Sequence, residues 1–363
     1  MFYREAGQYK TTYKADSAKF PIFQDKLFIW VYLFIAFIII PLFGGQFFLD
    51  AIMIPFLVLA LAAIGLNILT GYTGQISLGT GAFMGVGAYA CYKMTLAFPD
   101  VNIIVFIVAS GIFSALVGVF FGLPSLRIKG FYLVVTTLAA QFFLEWAFIR
   151  IPWLYNYNPS GAIEVPQREA FGYVVTGASA SSEVRYLTVL SIVVIMTWFA
   201  SNIISGRIGR SWMMIRDMDI AAELMGVRPL YAKLSAFAVS SFYCGVAGAL
   251  MVFIWQGAAE VEIFDYNRSF EVLFMIILGG LGSLLGCFLG AAIIFILPII
   301  IHHALPPIFE VLTPWTMNSA QADLVAEMMI GIMIVAFLIL EPHGLARLWA
   351  IVKQKLRVWP FPY

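Results

Sequence analysis

Residues 206–226 read GRIGRSWMMIRDMDIAAELMG, and this polar island decides the fold because of what lies on either side of it. The flanking segments, 186–205 and 232–255, are nearly uncharged apolar runs. Each has the length of about 20 residues that a helix needs to cross ~30 Å of hydrocarbon. The island is therefore predicted to be a loop outside the bilayer that connects two membrane-spanning helices.

The composition of the whole chain supports the same conclusion. Of its 363 residues, 62% are hydrophobic and only 11% are charged, which leaves too few polar residues to cover a water-soluble domain. A soluble protein with a very large core is the alternative, but a chain of this size cannot hide so many uncharged runs inside itself. We expect an all-α polytopic membrane protein that is surrounded by lipid and binds no nucleic acid.

Apolar runs of spanning length predict about ten transmembrane helices. The division near Gly286 is the least defined, because only glycines and Pro298 interrupt the uncharged stretch there, so nine or eleven crossings fit as well. The ten predicted spans are 27–45, 50–70, 76–98, 103–125, 131–150, 186–205, 232–255, 270–286, 288–304 and 324–341.

The positions of the basic residues predict the orientation. With ten spans and both termini in the cytoplasm, sixteen of the 21 basic residues lie inside, as the positive-inside rule requires. The predicted organisation is a cytoplasmic tail without a secretory signal peptide at 1–26, a transmembrane domain at 27–341 with a cytoplasmic loop at 206–231, and a cytoplasmic tail at 342–363. The inside residues are Arg4, Lys10, Lys14, Lys19, Lys26, Arg127, Lys129, Arg207, Arg210, Arg216, Arg228, Lys233, Arg347, Lys353, Lys355 and Arg357.

The island contains the signals of a short helix through IAAELM. Asp217 or Asp219 is suited to cap its start, and Gly226 to close it at the C′ position. Ile220 and Leu224 are one turn apart and form a single apolar face. An isolated helix this short is unstable in water, so we expect it to dock either in a groove of another protein or on the membrane surface.

Two further groups of residues stand out within the spans. Gly282, Gly286 and Gly290 recur at intervals of four, which predicts one helix face for close helix packing; Gly81 and Gly85 repeat this spacing. The other group is polar and uncharged, and it fits either a broken helix beside a translocation pathway or a cytoplasmic turn at 71–75 between intact spans. These candidate pathway residues are Asn67, Thr70, Thr73, Gln75, Ser77 and Thr80.

The remaining polar residues predict little chemistry. The external segment 151–185 is rich in proline and glycine and should be irregular or a short hairpin, either a lid or a passive connector. Glu145 and Glu271 are expected to reach outward or to pair with Arg150 and Arg268. The cysteines, Cys91, Cys244 and Cys287, are expected to be buried apolar groups.

No catalytic or metal chemistry is predicted for this chain. The histidines lack metal-ligand spacing, and the sequence contains no GxxxxGK[ST] phosphate loop, so the chain should not hydrolyse ATP by itself. The spans also lack the paired acids or the Ser–Lys and Ser–His arrangements that an intramembrane enzyme would need.

Several motifs in a fixed order resemble one family. DIAAELMGV at 219–227 resembles the coupling loop of ABC importer permeases. The full set resembles the M-type permease of the high-affinity branched-chain amino acid ABC transporters over about residues 50–350. Its other members are GLNILTGYTGQISLGTGAFMGVGAY at 65–89, LRIKGFYLVVTTLA at 126–139, FEVLFMIILGGLGSLLGCFLGAA at 270–292 and EPHGLARLW at 341–349.

The resemblance implies a pore formed with a homologous second permease in a bacterial inner membrane. It also implies two cytoplasmic ATPase subunits, which bind ATP and Mg, and a periplasmic binding protein that delivers the amino acid. The coupling residues would be Ala221, Ala222, Glu223 and Gly226, with Asp219 where many relatives have Glu. A urea or short-amide permease of the same family fits these motifs equally. A secondary transporter or channel is a further alternative, and it would work without an ATPase.

Overall fold

A computed structural model describes residues 11–12, 23–125, 132–170, 172–177, 179–312, 319–341 and 344–358. Most of the predicted N-terminal tail lies outside these residues, as do Arg127, Lys129 and His343 and the last residues of the chain. The side chains of His302 and His303 are likewise outside the description.

The described chain is almost entirely helical, with four two-residue strands. Two helices continue into π-helical turns, at Ile35–Ile39 and Met251–Gln256, and a third follows such a turn at Phe48–Met53. Two four-residue elements, an α-helical turn at Ile40–Phe43 and a 3-10 helix at Val261–Phe264, are not numbered. The longer α-helices are α1 (Phe23–Phe34), α2 (Ile54–Thr73), α3 (Thr80–Ala97), α4 (Ile103–Ser125), α5 (Tyr132–Arg150), α6 (Ser182–Ser205), α7 (Arg207–Asp217), α8 (Asp219–Leu224), α9 (Pro229–Leu250), α10 (Tyr266–Gly279), α11 (Leu284–Leu312), α12 (Ser319–Leu340) and α13 (Leu345–Val358).

Each of the ten predicted spans overlaps a helix of the described chain, although 270–286 runs across the break between α10 and α11. The count of ten stays a prediction, because within the described residues six continuous helical segments are long and apolar enough to cross a membrane. The bent pair Val261–Gly279 and Leu284–Ile300, at 120°, adds a seventh if it is counted as one span. These segments lie on both sides of the polar island, as the sequence predicted. The prediction of an all-α polytopic membrane protein is confirmed.

The centre of the bundle is helix α9, which packs against α2, α3 and α4. Small residues set these contacts. A Cβ at Gly87 would collide with the backbone of Gly245, and one at Gly248 with the backbone of Met84. Because glycine has no side chain, the helices cross here with their backbones in direct contact. Among the six continuous spanning segments of the described residues, those that contain α2 and α9 are the most buried.

The island lies at the same end of the bundle as the contact between the first and last described helices, α1 and α13. Lys353 Nζ of α13 donates to Asp25 Oδ1 of α1 at 2.6 Å, so the first and last helices meet there. Gly344, just before α13, is packed against Gly280. Arg216 of the island reaches the last turn of α2 at this same end. This arrangement agrees with the predicted location of both termini on one side, and we call it the loop end.

The opposite end carries the segment that joins α5 and α6. It forms turns, a strand β1 (Ile163–Glu164) and a hairpin of β2 (Glu169–Ala170) with β3 (Tyr173–Val174). Strand β1 pairs antiparallel with β4 (Ala258–Ala259), which follows the π-helical end of α9. The expectation of an irregular segment with a short hairpin is thus confirmed.

The division predicted near Gly286 is wrong in position. Helix α10 ends at Gly279 and α11 begins at Leu284, so the break lies at 280–283 and Gly286 is inside a helix. The physical reason is backbone conformation: Gly280 and Gly282 have φ of +114° and +77°, which residues with side chains rarely adopt.

Candidate functional site: the loop that carries a docking helix

Helix α7 fixes the island to the bundle. Its Trp212 is completely buried, and the indole Nε1 donates to Ser235 Oγ of α9 at 3.0 Å. At its other end, Arg216 Nη1 donates to the carbonyl oxygen of Gly71 in α2 at 2.9 Å. Gly209 is packed on the backbone of Ile204, where a side chain has no room. The island is therefore part of the folded bundle and not a loose loop.

Helix α8 follows after a single extended residue, Met218, with φ −161° and ψ 101°. The predicted side-chain cap is wrong, because Met218 occupies the N-cap position and no side chain caps the helix. Asp217 Oδ1 instead accepts from Arg216 at 3.0 Å. Asp219 Oδ2 accepts from Lys233 Nζ at 2.7 Å, so these charges compete with the cap and tie α8 to α9.

The predicted end of α8 at Gly226 is confirmed. Gly226 has φ +87°, and its N–H donates to the carbonyl of Glu223 at 3.0 Å. The N–H of Val227 donates to the carbonyl of Ala222, also at 3.0 Å. These two bonds form a Schellman motif, in which glycine at C′ satisfies the last carbonyls of the helix.

The outer face of α8 is apolar and unusually exposed. Ile220 is 70% and Leu224 85% exposed, on the single face that the sequence predicted. On the opposite side Ala222 is buried and Ala221 half-buried, while Glu223 is exposed beside the apolar face. A six-residue helix held in place on one side and apolar on the other has the form of a docking element.

The island also contacts two discontinuities of the bundle. The first is the chain after α2, where Gly74 has φ +71° and its added Cβ would lie 3.2 Å from Arg216 Cγ. The second is the break at 280–283, where an added Cβ on Gly282 would lie 3.4 Å from Arg216 Nη1. Sequence reasoning did not select Arg216 for a role, because the glycines that it contacts are far from it in the sequence and only the fold brings them together.

Three of the six candidate pathway residues lie on α2 and bond within the chain. Thr70 Oγ1 donates to the carbonyl of Gln75 at 3.1 Å and Thr73 Oγ1 to that of Leu69 at 2.5 Å. Asn67 Oδ1 accepts from the N–H of Gly282 at 2.9 Å, and its Nδ2 donates to the carbonyl of Ser283 at 3.0 Å. Asn67 thus holds the α10–α11 break against α2.

The other three residues lie on or directly after the non-helical connection between α2 and α3, residues 74–79, which we call the extended segment. Gln75, Ser77 and Thr80 are all buried. Helix α2 is therefore intact through Thr73, and the chain then continues as non-helical backbone. This lies between the two predicted alternatives, a broken helix beside a pathway and a turn at 71–75 between intact spans. All six candidates are buried in this conformation, so a role for any of them in passage requires a movement.

Gln75 differs from its neighbours because its amide is unused. Neither Oε1 nor Nε2 has a hydrogen-bond partner in the described structure, although both atoms are buried. An unsatisfied buried polar group costs about 1–3 kcal/mol. The extended segment therefore contains a destabilised side chain close to the place where Arg216 contacts Gly74.

The predicted glycine face is partly wrong. Gly286 and Gly290 lie on α11, and added Cβ atoms would meet the backbones of Gly279 and Met275 in α10. Gly282 does not share this face, because it precedes the helix in the break. An added Cβ there would meet Arg216 and Gly71 at ordinary van der Waals distances, so it is the φ of +77° that favours glycine at this position.

A further buried amide, that of Gln141, organises the start of α3. Its Oε1 accepts from the N–H of Ala82 at 2.7 Å and from Ser269 Oγ at 3.1 Å, and its Nε2 donates to the carbonyl of Phe264 at 2.6 Å. Ser269 Oγ also accepts from the N–H of Gly81 at 2.8 Å. These bonds satisfy the first N–H groups of a helix that begins inside the bundle.

The ionisable residues of the spans agree in part with expectation. Arg268 donates to Glu271, as predicted. Glu145 has one buried carboxylate oxygen without a partner in the described residues. All three cysteines are free and buried, and Asn67 Nδ2 donates to Cys287 Sγ at 3.1 Å, so the prediction that they are buried is confirmed.

Discontinuous apolar helices around a buried centre, with a short helix presented at one end, define a multi-pass membrane permease. The chain belongs to the family described as branched-chain amino acid transport system / permease component, whose family model matches residues 48–341. This range contains helix α8, both discontinuities and all the candidate pathway residues.

Curated relatives agree with this assignment. The chain is 29% identical over 256 residues to "High-affinity branched-chain amino acid transport system permease protein LivM" of Salmonella typhimurium and 28% identical over 256 residues to the protein of that name in Escherichia coli. Each alignment covers 64% of this chain and 59% of the relative. The matched part is thus about three-fifths of the relatives' length. No solved structure shows a significant match.

Proposed function

We propose that this chain is the membrane-spanning permease subunit of an ATP-driven ABC importer for branched-chain or related amino acids. The proposal includes a homologous second permease, two cytoplasmic subunits that bind ATP and Mg, and a periplasmic binding protein that delivers the solute. It places the chain in a bacterial inner membrane. Membership of the permease family and the names of the curated relatives support the substrate class.

The exposed apolar face of α8 is the observation that carries the ATP-driven mechanism. Ile220 and Leu224 are in water unless a partner covers them, although α7 fixes the helix that presents them. A preformed helix with apolar residues one turn apart is the usual ligand of a hydrophobic groove. The family resemblance implies an ATPase subunit as the owner of that groove, and this subunit would supply the energy for transport.

In this mechanism the residues of α8 have separate roles. Ile220 and Leu224 provide the contact area, and Glu223 provides charge beside it. Ala222 gives close packing toward the bundle, while Gly226 and the Asp219–Lys233 bridge fix where the helix ends and how it is oriented. Movement of the ATPase would then be transferred to α7 and α9, which hold the docking helix.

Purification of the chain from its native membrane tests the proposal. We expect a second permease and two ATPases to co-purify, and the complex in liposomes to hydrolyse ATP faster with a binding protein loaded with leucine, isoleucine or valine. If a urea- or amide-loaded binding protein stimulates ATP hydrolysis instead, the proposed substrate class is wrong and the proposed ATP-driven mechanism stands. Recovery of the chain alone, with gradient-driven uptake, would contradict the mechanism and indicate a secondary transporter.

A further inference from the structure

The guanidinium of Arg216 lies where three parts of the molecule meet. It donates to the carbonyl of Gly71 in the last turn of α2, and its aliphatic stem lies over Gly74, the first residue of the extended segment. The third neighbour is Gly282 in the α10–α11 break, at 3.4 Å from Nη1 to the position of an added Cβ. One side chain of the island thus touches both discontinuities of the bundle.

The two discontinuities are also joined to each other behind Arg216. Asn67, one turn before Gly71 on α2, binds the N–H of Gly282 and the carbonyl of Ser283. Asn67 is completely buried, so water does not compete for these bonds. These bonds join the end of α2 to the break at 280–283. Arg216 is the residue of the island that is hydrogen-bonded to this joined region.

On its other side Arg216 is close to the docking helix. Only Asp217 and Met218 separate it from α8, and the Arg216 guanidinium is hydrogen-bonded to the Asp217 carboxylate. Trp212, one turn earlier on α7, is buried against α9 and limits the independent motion of α7. A displacement of α8 therefore reaches the guanidinium through about two residues of backbone and not through a flexible loop.

We propose that Arg216 is the positioning residue that couples the docking helix to the extended segment 74–79 and to the α10–α11 break. This inference rests on the proposed function, because it assigns a path for the energy that α8 receives. Arginine suits the position, since a fixed fork of donors on a long stem reaches a helix C-terminus, where a positive charge is favourable, while its stem packs on Gly74. Gly74 leaves the space that this stem needs, and Gly71 leaves room for Asn67 and Gly282 to meet behind it.

The test compares Arg216→Met with Arg210→Met in the full complex in liposomes. Methionine keeps an apolar stem over Gly74 and removes every donor, and Arg210 is an exposed arginine on the same helix α7. Three quantities are measured for each complex: the amount of co-purified ATPase, the rate of ATP hydrolysis, and the solute taken up per ATP hydrolysed. A third variant, Arg216→Lys, restores a single donor at the same position.

We expect Arg216→Met to retain its ATPases and to hydrolyse ATP, with uptake per ATP lowered by about 5- to 150-fold, the usual range for coupling between two sites. Arg210→Met should match the wild type, and Arg216→Lys should recover part of the ratio. A merely structural role would lower assembly, hydrolysis and uptake together and leave the ratio unchanged.

The outcomes separate this inference from the proposed function. If the wild type does not link hydrolysis to uptake, the proposed function fails and the inference fails with it. If the wild type and Arg210→Met are coupled and Arg216→Met is equally coupled, only the inference is overturned. If Arg216→Met does not assemble, Arg216→Lys decides: a wild-type ratio in this variant overturns the role of the guanidinium fork, and a lowered ratio supports it.

Discussion

Replacing Ile220 and Leu224 together by alanine should weaken binding of the ATPase subunit without unfolding the permease. Each change removes three carbons, and burial of a CH2 contributes about 0.8 kcal/mol. The side chains are 70% and 85% exposed before docking. If the partner covers that exposed part fully, the loss is about 3–4 kcal/mol, which corresponds to a several-hundredfold rise in Kd at about 1.4 kcal/mol per factor of ten.

Alanine is the right replacement because it keeps the helix. It has the highest helix propensity, and neither side chain is packed in the bundle, so α8 should retain its shape and its Schellman end. The assay is titration of the purified permease in nanodiscs with labelled ATPase, with thermal unfolding measured on the same samples. The matched control is Ile208→Ala on α7, an apolar side chain that is 55% exposed at the same end of the bundle; its Kd should stay within about twofold of wild type.

Two results would refute this reasoning. A double variant that binds within a few-fold of the wild type would mean that the apolar face is not the docking surface. An equal loss in Ile208→Ala would mean that the loop binds through general apolar contact and not through α8. In either case the role of Ile220 and Leu224 would have to be abandoned.

Three further changes test other parts of the site. Glu223→Arg should abolish uptake with normal membrane insertion, because it reverses a charge beside the docking face, whereas Glu223→Gln should retain most uptake; normal uptake by the arginine variant would contradict the assignment. Gly286→Ala should lower the free energy of unfolding by about 1–3 kcal/mol, since its Cβ would lie 2.6 Å from the carbonyl oxygen of Gly279; Gly331→Ala on α12, with open space around it, should be neutral or stabilising. Gln75→Met should preserve or raise thermal stability, by up to about 1–3 kcal/mol, and slow uptake; a clear loss of stability would show that the amide has a partner.

Local signals were enough to predict the helices and the end of α8. A run of about 20 apolar residues in a membrane protein has essentially one solution, because backbone groups in lipid must bond within their own segment. Gly226 was predictable for a similar reason, since a helix that ends in the left-handed conformation favours glycine. In both cases the deciding interaction is within a few residues of the signal.

The errors come from side-chain contacts and backbone conformations that spacing along one helix does not reveal. The break between α10 and α11 lies at 280–283 and not near Gly286. At this break Asn67, more than 200 residues away in the sequence, binds the backbone groups that no helix satisfies. The expected cap of α8 is absent because Lys233 takes Asp219 as an ion-pair partner. Local spacing offered several glycines as the position of the break and two aspartates as the cap of α8. Which of them takes each role depends on contacts that form only in the folded protein.

The buried amides of the bundle show where a solute could still be recognised. Asn67 and Gln141 each bind two or more backbone or hydroxyl groups at a discontinuity. To bind a solute they would have to leave main-chain groups unpaired in an apolar setting, which is costly. Gln75 has no such duty, because neither atom of its amide is bonded. We therefore expect Gln75 to be the one of the three amides that gains hydrogen bonds if the extended segment moves, and its replacement by methionine to stabilise the resting structure while slowing uptake.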